Sequence, residues 1–144
     1  MKSYILLSIL SVTILSIGIT IPIFAQISTL DLTAPTVTDL SGGEKKGTLD
    51  LNVQNTTVIA TATMNEPPAE GQVYEGWFED KGDATGYSLS VGKFNENNTL
   101  SINQTMVNPF SYTVFYVTAE PVDDPDLNPS DVVVSTKLPP PFGQ

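Results

Sequence analysis

The chain contains no cysteine, no histidine and no arginine; all six of its basic residues are lysines. Without cysteine there is no disulfide framework, and a folded domain must hold together by packing alone. Without cysteine and histidine the usual zinc and copper ligand sets, Cys–His catalysis and the Ser–His–Asp triad are excluded. Without arginine the bidentate clamps on carboxylates and phosphates are missing too. Positive charge is scarce overall: six lysines face 16 carboxylates, for a net charge of −10. That balance repels nucleic acid and anionic lipid surfaces, so no nucleic-acid partner is expected. The same charge also serves solubility, with no particular basic partner required.

What the chain does have is a long apolar start. Lys2 precedes an uncharged stretch from Tyr4 to Ala25, and Ile23-Phe24-Ala25 before Gln26 has the small residue that a signal-peptide cut requires. The uncharged sequence extends from Ser3 to Leu30. That exceeds the ~20 residues that span a bilayer, so an uncleaved N-terminal apolar helix acting as an anchor is the second reading. Lys2 would then stay on the cytoplasmic side. Either way the rest of the chain is expected outside the cytoplasm, secreted or anchored to the cell membrane. Residues 1–25 are thus a signal peptide or anchor. Residues 26–47 read as a linker, because Pro35, Gly42 and Gly43 interrupt any period and large apolar side chains are few.

From Gly47 onward the pattern has period two. Leu49, Leu51 and Val53 alternate with polar residues, then Val58, Ala60, Ala62 and Met64 with Thr57, Ile59, Thr61 and Thr63. β-Branched side chains of this kind suit a pleated, half-buried surface. Pro67 and Pro68 break the second run, and Val73 to Glu79 begins a third with Tyr74, Trp77 and Phe78. Tyr87, Leu89 and Val91 form the next strand. Phe94 falls out of phase with them, and Gly92 marks a bulge that returns it inward. Leu100 and Ile102 make a short fifth strand. Tyr112 to Glu120 is expected to be the longest and is apolar on both faces, and Val132 to Ser135 closes the set. About seven short strands predict an all-β, antiparallel β-sandwich over residues 48–137, immunoglobulin-like in general shape, with a small barrel as the alternative. Residues 138–144 are a Pro-rich tail. Large aromatics are most often buried for their area, so Tyr74, Trp77, Phe78 and Phe94 are expected in the core.

Three sets of residues bear on a site. The acidic loop from Asp123 to Asp131 offers alternating oxygen ligands for Ca²⁺ at Asp124, Asp126 and Asn128. Pro129 and Ser135 stand where an EF-hand needs glycine and glutamate, and a solvated turn accounts for the same residues. Apart from that calcium reading no cofactor is expected. Glu66 with Glu70, and Glu79 with Asp80 and Asp83, raise the paired carboxylates of glycoside hydrolysis, but nothing around them resembles a substrate cleft. The sequons at Asn55, Asn97 and Asn103 are candidate glycosylation sites in an exported chain.

The segments Tyr74-Glu75-Gly76-Trp77, Leu89-Ser90-Val91-Gly92-Lys93-Phe94, Phe115-Tyr116-Val117-Thr118-Ala119-Glu120-Pro121 and Val132-Val133-Val134 follow one another in an order that resembles the C-terminal extracytoplasmic domain of anti-sigma-K factors, the RskA family. The resemblance spans Thr48 to Ser135. In that family the domain lies outside the membrane, while a separate cytoplasmic part with His and Cys zinc ligands restrains a sigma factor. Here only Met1 to Ser3 precede the apolar stretch. The resemblance therefore implies the outer module alone: a non-enzymatic interaction or sensor-like domain whose partner is an envelope or membrane protein. Membrane association would come only through the N-terminal segment, if it is retained. A structural or adhesive envelope protein is the alternative, and a secreted hydrolase working with carboxylates is the third reading.

Overall fold

The structure, a computed structural model, describes residues 28–81 and 86–143. The leader, with its expected cleavage site or anchor, lies outside the described residues. Among the described residues, no helix is long and apolar enough to cross a membrane.

Among the described residues, eight antiparallel strands follow one another: β1 (Ser28–Thr33), β2 (Lys45–Gln54), β3 (Thr57–Met64), β4 (Gln72–Glu79), β5 (Ser88–Lys93), β6 (Thr99–Thr105), β7 (Val114–Pro121) and β8 (Val132–Lys137). A single 3₁₀ turn, Pro109–Ser111, interrupts them. They form one sheet in the order β5-β4-β7-β8-β1-β2-β3-β6. The sheet curls until its two ends, β5 and β6, touch. Its weakest seam is between β8 and β1, where only Thr33 and Ser135 pair.

The all-β, antiparallel reading holds, with one strand more than expected. The additional strand is β1, inside the segment 26–47 read as a linker. Its Leu30 and Leu32 alternate with polar residues, it pairs along its length with β2, and Leu32 is fully buried. The longest strand is β2, with 10 residues against eight for β7, because its ladder continues back through Gly47 to Lys45. Gly47 is needed there: a Cβ on it would sit 2.4 Å from the Thr63 carbonyl oxygen. The expected bulge is present. Gly92 has φ +119°, the register slips opposite Gly76 and Trp77 so that Val91 is unpaired, and Phe94 turns inward to 6% exposure. Phe94 then meets Tyr74 edge to face at 5.9 Å.

The main core fills the concave side of the curl. Leu49, Leu51, Val58, Ala60 and Ala62 face Phe78, Phe115, Val117 and Val134 across it, with Leu100 and Ile102 from β6. Leu100 reaches over to Gly76, and a Cβ there would lie 2.6 Å from it. The tail after β8 folds back rather than trailing away: Leu138 is buried, and Phe142 packs on Phe110 at 5.4 Å.

As expected, β7 is buried on both faces. Phe115 and Val117 point into the main core, while Val114, Tyr116 and Thr118 point outward under a second, smaller cluster with Trp77 and Val132. Trp77 stacks on Tyr116 at 6.4 Å and 15°. Connecting segments cover this outer face. Ser135 Oγ donates to the Leu40 carbonyl of the β1–β2 loop, Tyr116 Oη donates to Ser88 Oγ at 2.8 Å, and Ser130 of the β7–β8 loop donates to Glu120.

Two substitutions test this packing. Trp77→Ala should destabilise the domain by about 3–5 kcal/mol in urea titration, as for a buried aromatic. Gly47→Ala should cost ~1–3 kcal/mol through overpacking against the β3 backbone. Wild-type midpoints for both variants would contradict the packing described.

Candidate functional site

The outer face of β5, β4 and β7 carries the most elaborate polar arrangement among the described residues. The strand registers set Ser90 beside Trp77 and Trp77 beside Tyr116, with Glu75 opposite Thr118 one step along. In this way residues far apart in sequence come to share one surface. The β7–β8 loop closes over its edge and leaves a cleft of about 390 Å³. Trp77, Ser88 and Ser90 line its floor, Glu75, Glu120 and Lys93 its sides, and Tyr87, Asp124, Asp126 and Leu127 its rim.

A hydrogen-bonded chain runs beneath this cleft. Trp77 Nε1 donates to Thr118 Oγ1 at 2.9 Å, and Thr118 Oγ1 donates in turn to Glu120 Oε1. Glu120 also accepts from the Ser130 N–H at 2.9 Å and from the Ser130 hydroxyl. With 2% exposure, Glu120 is a buried carboxylate in a domain without arginine, held by the Thr118 and Ser130 hydroxyls and the Ser130 N–H. Burial pushes its pKa up. The donors from Ser130 and Thr118 outweigh that effect and leave the group below its ordinary value of 4.5. Burial also raises the Tyr116 phenol, which keeps its proton and remains a donor to Ser88.

The rim is acidic and partly apolar. Glu75, Asp124 and Asp126 face Lys93, the only cation among the described cleft residues. Tyr87 is 63% exposed and Leu127 89%. Glu75 accepts from Ser90 Oγ, Asp80 Oδ1 from the Tyr87 N–H at 2.9 Å and Glu79 Oε1 from the Gly86 N–H at 2.7 Å. The carboxylates thus organise the strands and turns around the cleft. What the surface offers a visitor is shape, two exposed apolar side chains and negative charge.

The calcium candidates lie on this rim. Asp124 Oδ1 accepts from the Asp126 N–H at 2.8 Å, and Asp126 Oδ1 accepts from the Asn128 N–H at 3.0 Å and from its side-chain amide at 2.7 Å. These are successive Asx turns, in which the side chains close the loop on itself. Among the described residues, no three His, Cys, Asp or Glu side chains form a group that could hold a metal ion. Of the carboxylates of the hydrolase reading, Glu79 and Asp80 are brought together at the β4–β5 turn, where Glu79 Oε1 accepts from the Gly86 N–H and Asp80 Oδ1 from the Tyr87 N–H. Glu66 lies in the β3–β4 connection beside Tyr74, whereas Glu79 ends β4. Five strand residues at ~3.3 Å each separate these points by roughly 17 Å, against the ~5–9.5 Å of glycosidase pairs. Glu70 is exposed in the same connection as Glu66, and Asp83 lies outside the described residues. Asn55, Asn97 and Asn103 are all exposed, on the other half of the sheet.

Sequence reasoning missed the role of Glu120 and Ser130. A signal was there: Thr118 and Glu120 place two polar groups two residues apart on one face of an otherwise apolar strand, a pattern that requires buried partners. Which donors would arrive depended on how the β7–β8 loop folds back.

Glu120 makes stability pH-dependent. Its folded-state pKa is depressed, so the unfolded chain takes up the proton first as pH falls. The contribution is complete above the unfolded value near 4.5 and is lost as pH drops through the lower folded value. Glu120→Gln should cost about 1.5–3 kcal/mol at pH 7, the scale of hydrogen bonds to a charged group. It should also flatten the acid limb of a stability-versus-pH curve; an unchanged limb would remove Glu120 from this role.

Compared with protein-family models, with curated proteins and with solved structures, the chain matches none.

Proposed function

We propose that the chain is a non-enzymatic, extracytoplasmic interaction or sensor-like module, similar to the outer domain of anti-sigma-K factors. The observation that carries this reading is where the segments bearing the resemblance fall. Tyr74–Trp77, Leu89–Phe94, Phe115–Pro121 and Val132–Val134 lie on or at the ends of β4, β5, β7 and β8, four strands contiguous in the sheet. Together they build the cleft floor and the Trp77–Thr118–Glu120 chain beneath it.

In this reading the fold is a sandwich of two four-stranded layers, β5-β4-β7-β8 and β1-β2-β3-β6. The single Thr33–Ser135 pair between β8 and β1 supports it, since a seam that narrow joins two layers more naturally than it continues one sheet. The contact surface is the cleft rim, where Tyr87 and Leu127 stand exposed beside carboxylates. Exposed apolar groups within a polar rim are what protein contacts use. The partner is an envelope or membrane protein.

A structural or adhesive role in the cell envelope is the second reading. It is favoured by the outer face of the other layer, which is rich in threonine and asparagine and carries all three sequons.

A photo-crosslinking residue at position 87 or 127, installed in the full chain in its native cells, separates the two. Adducts to one membrane or envelope protein, competed by Leu127→Asp, are expected. Adducts only to surface-layer or glycan material would transfer the case to the structural role.

A further inference from the structure

We propose that the outer face of β2, β3 and β6 is a glycan-carrying face. Asn97 and Asn55 would be its N-linked sites in the folded domain, and Asn103 would be modified only on chain that has not yet folded. The inference rests on the extracytoplasmic reading, because the sugar donor has to meet the chain outside the cytoplasm.

The three sequons are scattered in sequence but share one half of the sheet, with Asn55 and Asn97 at opposite ends of the β3–β6 ladder and Asn103 within it. Asn55 caps the β2–β3 hairpin, Asn97 lies in the turn that feeds β6, and Asn103 stands in β6 opposite Ile59. All three side chains are exposed. Turn chemistry explains part of this pattern and leaves the rest. Asn55 and Asn98 both have φ +57°, a left-handed conformation that asparagine tolerates, so the two turns have a use for them. Neither turn requires Asn97, which occupies the third place of a turn closed by the Asn98 N–H to the Asn95 carbonyl at 2.9 Å. Nor does β6 require Asn103, since asparagine is depleted from strands.

The surface between these sites also suits sugar. Gln54, Thr61, Ser101 and Thr105 offer exposed hydroxyl and amide groups there, Asp50 opposite Thr61 adds one carboxylate, and Ile59 at 37% exposure is a large apolar side chain among them. Glycans on this half of the sheet leave the cleft half bare for a partner.

The chemistry sets the order of the sites. The asparagine amide nitrogen attacks C1 of a sugar carried on a lipid-linked phosphate. The N–C1 bond forms, the C1–O bond breaks with its electron pair leaving on the phosphate, and the amide nitrogen gives one proton to a base of the transferase. Nothing is oxidised or reduced. The acceptor segment has to bend and present its amide together with the threonine two residues on. Exposed turns permit that. The Asn103 segment is held in the β3–β6 ladder, and its Thr105 hydroxyl lies 3.1 Å from that of Thr57.

The test is peptide mass mapping of the full chain purified from its native cells, with protease accessibility measured on intact cells from the same culture. The peptides bearing Asn97 and Asn55 should carry an oligosaccharide mass, the Asn103 peptide should be largely bare, and Asn97→Gln should remove one increment. An externally accessible chain with all three asparagines bare overturns the glycan face and leaves the extracytoplasmic module standing. A chain protected inside the cells overturns both.

Discussion

Glu120 is the constraint on which the outer half of the structure depends. A carboxylate at 2% exposure has to be satisfied by hydrogen bonds, and here hydroxyl and amide donors supply them. Thr118 supplies one from the same strand, and Ser130 supplies two from ten positions further along the chain, within the acidic loop. Satisfying this one group therefore closes the loop, and closing the loop forms the cleft. Trp77 is drawn into the same chain through its indole N–H, so the stacking with Tyr116 and the loop closure are not independent.

The two-sided burial of β7 explains how such a group comes to be buried. A strand covered on one face alone would leave Thr118 and Glu120 in water, where neither would need a partner. Here the inner face belongs to the main core and the outer face to loops that return over it. The outer face of β2, β3 and β6 has no such cover, and its exposed threonine, glutamine and asparagine side chains meet solvent directly. One fold thus presents two unlike surfaces, an acidic cleft with apolar rims and a face made mostly of hydroxyl and amide groups. The functional readings divide along the same line, with contact proposed on the first and glycans on the second.

Much of the fold was legible in the sequence, because period two survives wherever one strand face is buried. Seven of the strands follow from alternation and turn residues, and the out-of-phase Phe94 correctly marks the bulge at Gly92. The strand β1 was hidden because two leucines in six residues, followed by Pro35 and paired glycines, look the same in a linker as in a strand lying on β2. The cleft was less legible. Its walls come from β4, β5, β7 and two connections, and residues 75, 90, 118 and 130 have no local pattern in common.

Local chemistry by itself determined the antiparallel β class, the metal and triad chemistries that the absent side chains exclude, the turns and the acidic character. These follow from side-chain branching, backbone freedom and charge, which act within a few residues. Only the tertiary structure decided that Glu120 would be buried and Glu66 would not, and that three distant sequons would share one half of the sheet. Those outcomes depend on strand order and register, and it takes the curled sheet with its returning loop to bring Ser130 within hydrogen-bonding distance of Glu120.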